Sequence, residues 1–341
     1  MKTSECFFAA ANGYGGFRSN FDNGFSPHKL NKLYILKGGP GTGKSTLMKN
    51  VAKRFDDKAR VTRIYCSSDV GSLDGVLIER GGTTVGIADG TAPHVIEPRF
   101  PGAVEEIVNL GDGFDYRALC GKKHVIMELS KKKSDAYKSA YTALSAAGEI
   151  RKCIDGILFN NDIYKEAELY ARELVGDIKE YRGAPCNKGF LLSSFSKDGY
   201  TYLPSYSTEK KVISIEGDNI SAHLIIGEIR KILSEKAVLL RSYESALSPI
   251  IFDAVECEEM LFTVSQNGCS TSLAYHKMAS DDRYISVKSA HDTMLSLAQK
   301  YFKEASEHHF ALEAIYSENM SFEGNEAKME RISADIAEIF A

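Results

Sequence analysis

Nowhere does the chain hold an apolar run long enough to cross a membrane, and Met1 to Ala11 has neither the charge pattern nor the length of a secretory signal. A cytoplasmic protein is therefore expected. No two of its seven cysteines stand as C-x-x-C; they are scattered at 6, 66, 120, 153, 186, 257 and 269, which argues against a zinc site and against a disulfide framework. Small, reduced, mostly buried thiols are the expectation. Nor is there an excess of either charge. The 42 Lys and Arg against 46 Asp and Glu leave a formal net charge of -4, so no overall pull toward nucleic acid or an anionic membrane arises, although a local basic patch stays open. What remains, at 43% hydrophobic and 26% charged, is an ordinary soluble composition over 341 residues, long enough for two cores.

One stretch organises the rest. Leu33 to Leu36 is a short apolar run suited to a buried parallel strand, and Lys44 to Phe55 carries Leu47, Met48, Val51 and Phe55 at helical spacing. Between them Gly38, Gly43, Lys44 and Ser45 fit G-x-x-x-x-G-K-[ST], the phosphate-binding loop. Glycines at 38, 39, 41 and 43 leave backbone N–H groups free to turn in on a polyphosphate, and the helix adds its positive end. The expected cradle is Gly38, Gly39, Pro40, Gly41, Thr42, Gly43, Lys44, Ser45 and Thr46. Lys44 would reach the β- and γ-phosphates, Ser45 would bind Mg²⁺, and Thr46 would be a neighbouring phosphate contact.

Ahead of the loop, Phe7 and Phe8 suit a first strand, and Asn12, Tyr14 and Phe17 belong to a glycine-rich segment that either covers a base or is a packed surface turn. Behind it, Val61 to Cys66 reads as a second strand followed by Ser67, Ser68, Asp69, Ser72 and Asp74. Such a cluster at the carboxyl edge of a sheet suits water positioning, Mg²⁺ contact or acceptor binding, with helix capping as the plain alternative. Thr83 to Asp89 reads as a third strand ending in the Mg²⁺-holding acid of a Walker B element, or in an acid that caps a turn. Gly90 follows where motor-type ATPases carry a water-activating Glu. The base must then come from Asp69, Asp74, Glu97 or His94, and Asp69 joins Lys44 and Asp89 in the expected catalytic set. Pro93, Pro98 and Pro101 make the next stretch a shaped loop, from which His94 and Arg99 either face the phosphates or serve structure and solvent.

From about Lys122 to Tyr181 the pattern is two antiparallel helices broken near Phe159 to Asn161, an arm beside the sheet; Lys131, Lys132 and Lys133 read as a solvated face. Residues 184 to 188 mark a boundary, giving domains 1–183 and 188–341. Beyond it the first half recurs. Residues 212 to 229 lie on 33 to 50 at a constant offset of 179, which sets His223 against Lys44 (223 − 44), with Ala222 and Leu224 for Gly43 and Ser45. Residues 237–243, 252–255 and 260–268 match 59–65, 73–76 and the Walker B strand, so that Ser265, Gln266 and Asn267 fall in the region of Asp89. A helix from Val287 to Ser317, a break at Asn319 to Gly324 and a final helix to Phe340 repeat the helical pair. The second half has lost both charge partner and metal ligand. It reads as a non-hydrolysing twin that completes or regulates the first, with Arg230, Arg241 or Arg283 candidates for an arginine reaching across.

ILKGGPGTGKSTLMK at 35 to 49, CSSD at 66 to 69, SLDGV at 72 to 76 and DGTAPHVIEP with PGAVEEIVNLGD between 89 and 112, together with the hairpins and the repeat, resemble a family of tandem P-loop proteins of Gram-positive, spore-forming bacteria, labelled as ATPases or nucleotide-kinase-like proteins. The resemblance spans nearly the whole chain. It implies ATP binding and a P-loop fold, and departs at Ala222-His223-Leu224, where the family often keeps a second intact loop. The expectation is an α/β chain of two tandem P-loop NTPase-type domains, each a parallel sheet flanked by helices with a helical hairpin, one competent and one degenerate. It would bind Mg·ATP, preferred over GTP because no N-K-x-D motif occurs, and hydrolyse it to drive a conformational change. A kinase using Asp69 or Asp74 to orient an acceptor, and an ATP-sensing adaptor, are the alternatives. The hairpins are candidate surfaces for a protein partner; self-association is left open.

Overall fold

Short runs rich in β-branched and aromatic residues become strands in the computed structural model, which describes residues 5–160, 163–176, 178, 189–203, 210–216, 219–258, 260–264, 271–274 and 281–341. In chain order the first half contains β1 (Glu5–Phe8), β2 (Ala10–Gly13), β3 (Gly16–Ser19), the short helix α1 (Phe21–Gly24), β4 (Lys32–Lys37), α2 (Lys44–Phe55), β5 (Arg60–Tyr65), β6 (Leu73–Arg80), β7 (Thr83–Asp89), β8 (Glu105–Asn109), α3 (Tyr116–Gly121), α4 (Lys123–Asn160) and α5 (Ile163–Val175). The second half continues with β9 (Ser193–Ser196), β10 (Gly199–Tyr202), β11 (Lys211–Glu216), α6 (Asn219–Glu235), β12 (Arg241–Glu244), β13 (Phe252–Glu256), β14 (Met260–Thr263), β15 (Thr271–Ala274), α7 (Asp282–Glu318) and α8 (Glu323–Ile339). It is a mixed α/β chain, and no helix among the described residues is long and apolar enough to cross a membrane.

By contact the chain divides into two units that interleave along the sequence. One takes residues through Ala9, Ser19–Ser139 and Tyr301–Ala341; the other takes Ala10–Arg18 and Ala140–Lys300. The boundary expected at 184–188 lies outside the described residues.

The first unit is built on a six-stranded sheet of order β1-β5-β6-β7-β4-β8. It is mixed, not parallel as expected. β4 runs parallel to β7 and β8, and β1 parallel to β5, but β6 is antiparallel to both β5 and β7. Connection length is the reason: Gly81 and Gly82, with φ of 60° and 84°, close β6 onto β7 as a two-residue hairpin, and no parallel crossover fits in so short a span. β8 is a second correction. It forms an edge strand inside the stretch read as a proline-rich loop, because the prolines stop at Pro101 and leave Glu105–Asn109 free to pair with β4. Above this sheet, α2 buries Leu47, Met48, Val51, Ala52 and Phe55 with Leu36, Val76, Ile78 and Ile87 of the strands and Ile332 and Ile336 of α8.

The second unit carries a five-stranded sheet of order β12-β13-β14-β11-β15, which matches β5-β6-β7-β4-β8 position for position, including which pairs are parallel. Adding 179 to 32–37 gives 211–216, the bounds of β11. Its core sets Ile225, Ile226, Ile229 and Leu233 of α6 against Val255 and Phe262 of the sheet and against Ala167, Ala171 and Val175 of α5.

The helical pairs form close to the expected bounds, but their returning helices change sides. α5, expected beside the first sheet, packs on α6 of the second unit; α8 of the second half packs on α2 of the first. α6 offers a broad apolar face, and α5 meets it with Ala167 and Ala171 at i, i+4 and with Val175.

Candidate functional site

β4 ends at Lys37 and α2 begins at Lys44, so the six residues between them form the loop that the motif announces. Gly43 caps α2 in the left-handed region at φ 85°, and Gly41 sits at φ 72°. Only glycine takes these conformations without strain. The Lys44 ammonium donates to the Gly39 carbonyl at 2.9 Å and the Gly38 carbonyl at 3.3 Å, and lies 3.6 Å from Asp89 Oδ2. The Thr42 hydroxyl donates to Gly39 O at 2.9 Å, and Ser45 Oγ accepts the Leu73 N–H at 2.9 Å. Gly38 and Pro40 are half-buried, and Thr46 is exposed.

The outer face of the loop is packed. A Cβ on Gly41 would stand 2.7 Å from the Glu313 carbonyl of α7, one on Gly43 3.2 Å from Asn325 Nδ2 of α8, and one on Gly39 3.3 Å from Phe114. Asn325 donates to Thr42 O at 3.0 Å. The glycines thus also admit the α7–α8 corner against the loop. Gly41→Ala should cost on the order of 1 to 3 kcal/mol through strain and that contact, seen as a lowered thermal midpoint. Gly121→Ala, where nothing lies within 4 Å, should leave the midpoint almost unchanged.

The acids come from two strands. Leu36 of β4 pairs with Asp89 of β7, which brings Asp89 to the end of the sheet where the loop begins. Its Oδ1 accepts the Thr91 N–H at 2.9 Å and hydroxyl at 2.6 Å, so Asp89 also holds a turn. Asp74 of β6 is buried, and burial together with the Asp89 charge pushes its pKa up to about 7. Burial also pushes the neighbouring Cys66 thiol well up. His94 joins them, its Nε2 4.0 Å from Asp74 Oδ2 and its ring stacked on Phe21 at 4.3 Å. Burial lowers its pKa.

Other expected residues have partners of their own, although Asp69 lies near enough for its charge to help raise the Asp74 pKa. Asp69 is tied into its own turn, accepting the Ser72 hydroxyl at 2.9 Å and the Gly71 N–H at 3.3 Å. Glu97 is exposed and pairs with Lys37, whose ammonium also takes the Gly90 and Ile96 carbonyls and so holds the proline-rich loop down on β4. Arg99 faces Asp22 in an exposed pair at 3.7 Å. Arg230, Arg241 and Arg283 are each engaged inside the second unit, over Phe252, with Glu256 and with Asp281.

Two residues near the loop were not foreseen. Burial lowers the pKa of His309 on α7, which feels the charges of Glu313, Lys133, Lys44 and Asp69. Lys133 is half-buried and depressed by burial, while Lys131 and Lys132 form exposed pairs with Asp135 and Glu128 as a solvated face does. Spacing carried the signal: Lys133 lies three and seven residues before buried Ala136 and Ala140, and His309 lies four after Ala305 and three before Leu312.

The corresponding place in the second unit is spaced differently. Only residues 217 and 218 separate β11 from α6, against six between β4 and α2, and His223 lies inside α6 rather than at its start. Its Nε2 is 2.9 Å from Asp253 Oδ1, and Asp253 is the counterpart of Asp74 at the same offset (74 + 179). Tyr200 and Ser193 donate to the same fully buried carboxylate. A cavity of about 430 Å³ opens here, walled by Tyr14, Arg151, Tyr200, His223, Lys288 and His291 among others. Ser265, Gln266 and Asn267 lie outside the described residues. Continuing the register one step past Ser214 and Thr263 puts Val264 opposite Ile215, where Asp89 stands opposite Leu36.

Comparison with protein-family models, with curated proteins and with solved structures finds no match.

Proposed function

We propose that the chain is a P-loop nucleoside triphosphatase built from two tandem halves, of which the first binds Mg·ATP at Gly38 to Thr46 and cleaves its γ-phosphoryl group. The observation that carries this reading is Lys44 at the head of α2, 3.6 Å from Asp89 across adjoining parallel strands, with the glycine loop between. Loop N–H groups and the helix end favour an anion there, and the ammonium, now on loop carbonyls, is free to exchange them for phosphate oxygens. Ser45 and Asp89 offer oxygen donors at one end of the sheet, the set that Mg²⁺ takes alongside phosphates and water. That ion would supply charge neutralisation. The matching strand orders of the two sheets support the tandem reading, and His223 in the place of Lys44, inside α6 and held on Asp253, supports a second half that holds no triphosphate.

Gly90 favours one rival. A Cβ there would come 2.3 Å from Ile35 Cγ2, so the position after Asp89 carries no base, which leaves Asp74, His94 or Asp69 to orient the nucleophile. That suits transfer to an acceptor hydroxyl as well as to water, which keeps a small-molecule or nucleotide kinase as the second reading. Val125, Met127 and Phe310 remain exposed on α4 and α7 and suit a protein partner on the long helices. Single-turnover assays with γ-labelled ATP, with and without nucleoside or sugar acceptors, test the reading. Free phosphate is the expected product, labelled acceptor establishes the kinase, and intact ATP in every arm leaves a sensor without catalysis and overturns both enzymes.

A further inference from the structure

His94 is buried without being satisfied. Its side chain is 7% exposed, and neither ring nitrogen has a hydrogen-bond partner. A buried imidazole left in this way costs free energy unless something else is meant to meet it. Phe21 fixes the ring, with planes 3° apart, so that it cannot swing out without losing the stack. What it faces is a pair of carboxylates. Asp74 lies one step beyond the Gly75–Ala88 pair of β6 and β7, beside Asp89, and ligand atoms of Asp74, Asp89 and His94 all lie within 4.8 Å of one another.

Against two carboxylates from adjoining strands stands one ammonium, Lys44 at 3.6 Å from Asp89, so the charge balance still has room for a cation. The third donor says which kind. Mg²⁺ takes oxygen and parts reluctantly with water, whereas an imidazole among carboxylates moves preference toward the first-row transition ions. The strands and the stacked ring supply the donors from three separate positions, so the site does not depend on one loop holding its shape. We propose that Asp74, Asp89 and His94 form a binding site for a divalent transition cation of the Mn²⁺ type, in preference to Mg²⁺. The site shares Asp89 with the proposed nucleotide cradle and deepens that reading. It is tested without nucleotide, so the two fail separately.

The experiment is titration of the metal-free full chain with MnCl₂ and with MgCl₂, followed by calorimetry and by pulsed electron paramagnetic resonance on the Mn²⁺ form. One Mn²⁺ per chain is expected, bound about tenfold or more tightly than Mg²⁺, with a nitrogen coupling from a directly bound imidazole. His94→Asn should remove that coupling and weaken Mn²⁺ by at least about tenfold while leaving Mg²⁺ binding as it was. Equal affinity for both ions, or an Mn²⁺ signal without nitrogen coupling in the parent chain, overturns the proposal even if His94→Asn does not fold.

Discussion

Lys44→Ala should weaken ATP binding and slow its turnover by about two to three orders of magnitude while leaving the melting temperature close to that of the parent. The scale is that of removing one preorganised donor from a developing phosphoryl charge. Stability should hold because Lys44 bonds only the loop's own carbonyls and a partly exposed Asp89. Its partner in the repeat gives the opposite phenotype. His223→Ala should leave nucleotide affinity unchanged and destabilise the chain by about 3 kcal/mol, because it strips a partner from a fully buried carboxylate. Calorimetric ATP titration and thermal unfolding of both variants make the comparison. Parent-like ATP affinity in Lys44→Ala would remove the basis of the proposed function.

A fragment of residues 1–183 should fail to fold, and addition of residues 188–341 should rescue it. α2 turns Leu47, Met48, Val51 and Phe55 toward Ile332 and Ile336, which the fragment lacks; the fragment would also expose Ala167, Ala171 and Val175, whose partners are on α6. In the full chain, Ile336→Ala alone should cost about 2 to 5 kcal/mol. Circular dichroism during heating decides the matter: a cooperative transition in the fragment at the parent's midpoint would show that α8 is dispensable to that core.

The phosphate loop was legible because everything that makes it is contiguous. Strand, glycines, lysine and helix lie within residues 33 to 55, and local chemistry fixes each. β6 was hidden by its own polar start, since Asp74 and Gly75 interrupt the pattern just where the strand enters the sheet, although Gly81-Gly82 spelled out the hairpin. β8 was hidden by the prolines before it. That His94 meets Asp74 follows from a strand order no local window contains, and the pairing of Arg99 with Asp22 is likewise not local. The destination of α5 and α8 was least visible. An apolar stripe says that a helix needs a partner, and two similar halves offer two similar partners.

The interleaving of the units sets an order of assembly on the ribosome. Domains ordinarily fold as they emerge, amino-terminal first. Here every segment of the later unit has been made once Lys300 has left the tunnel, whereas the sheet begun at Glu5 waits for Ile332 and Ile336. The oldest strands in the nascent chain are the last to be sealed. During that interval α2 has the strands beneath it but lacks Ile332 and Ile336, so its core stays open along the edge that α8 will cover.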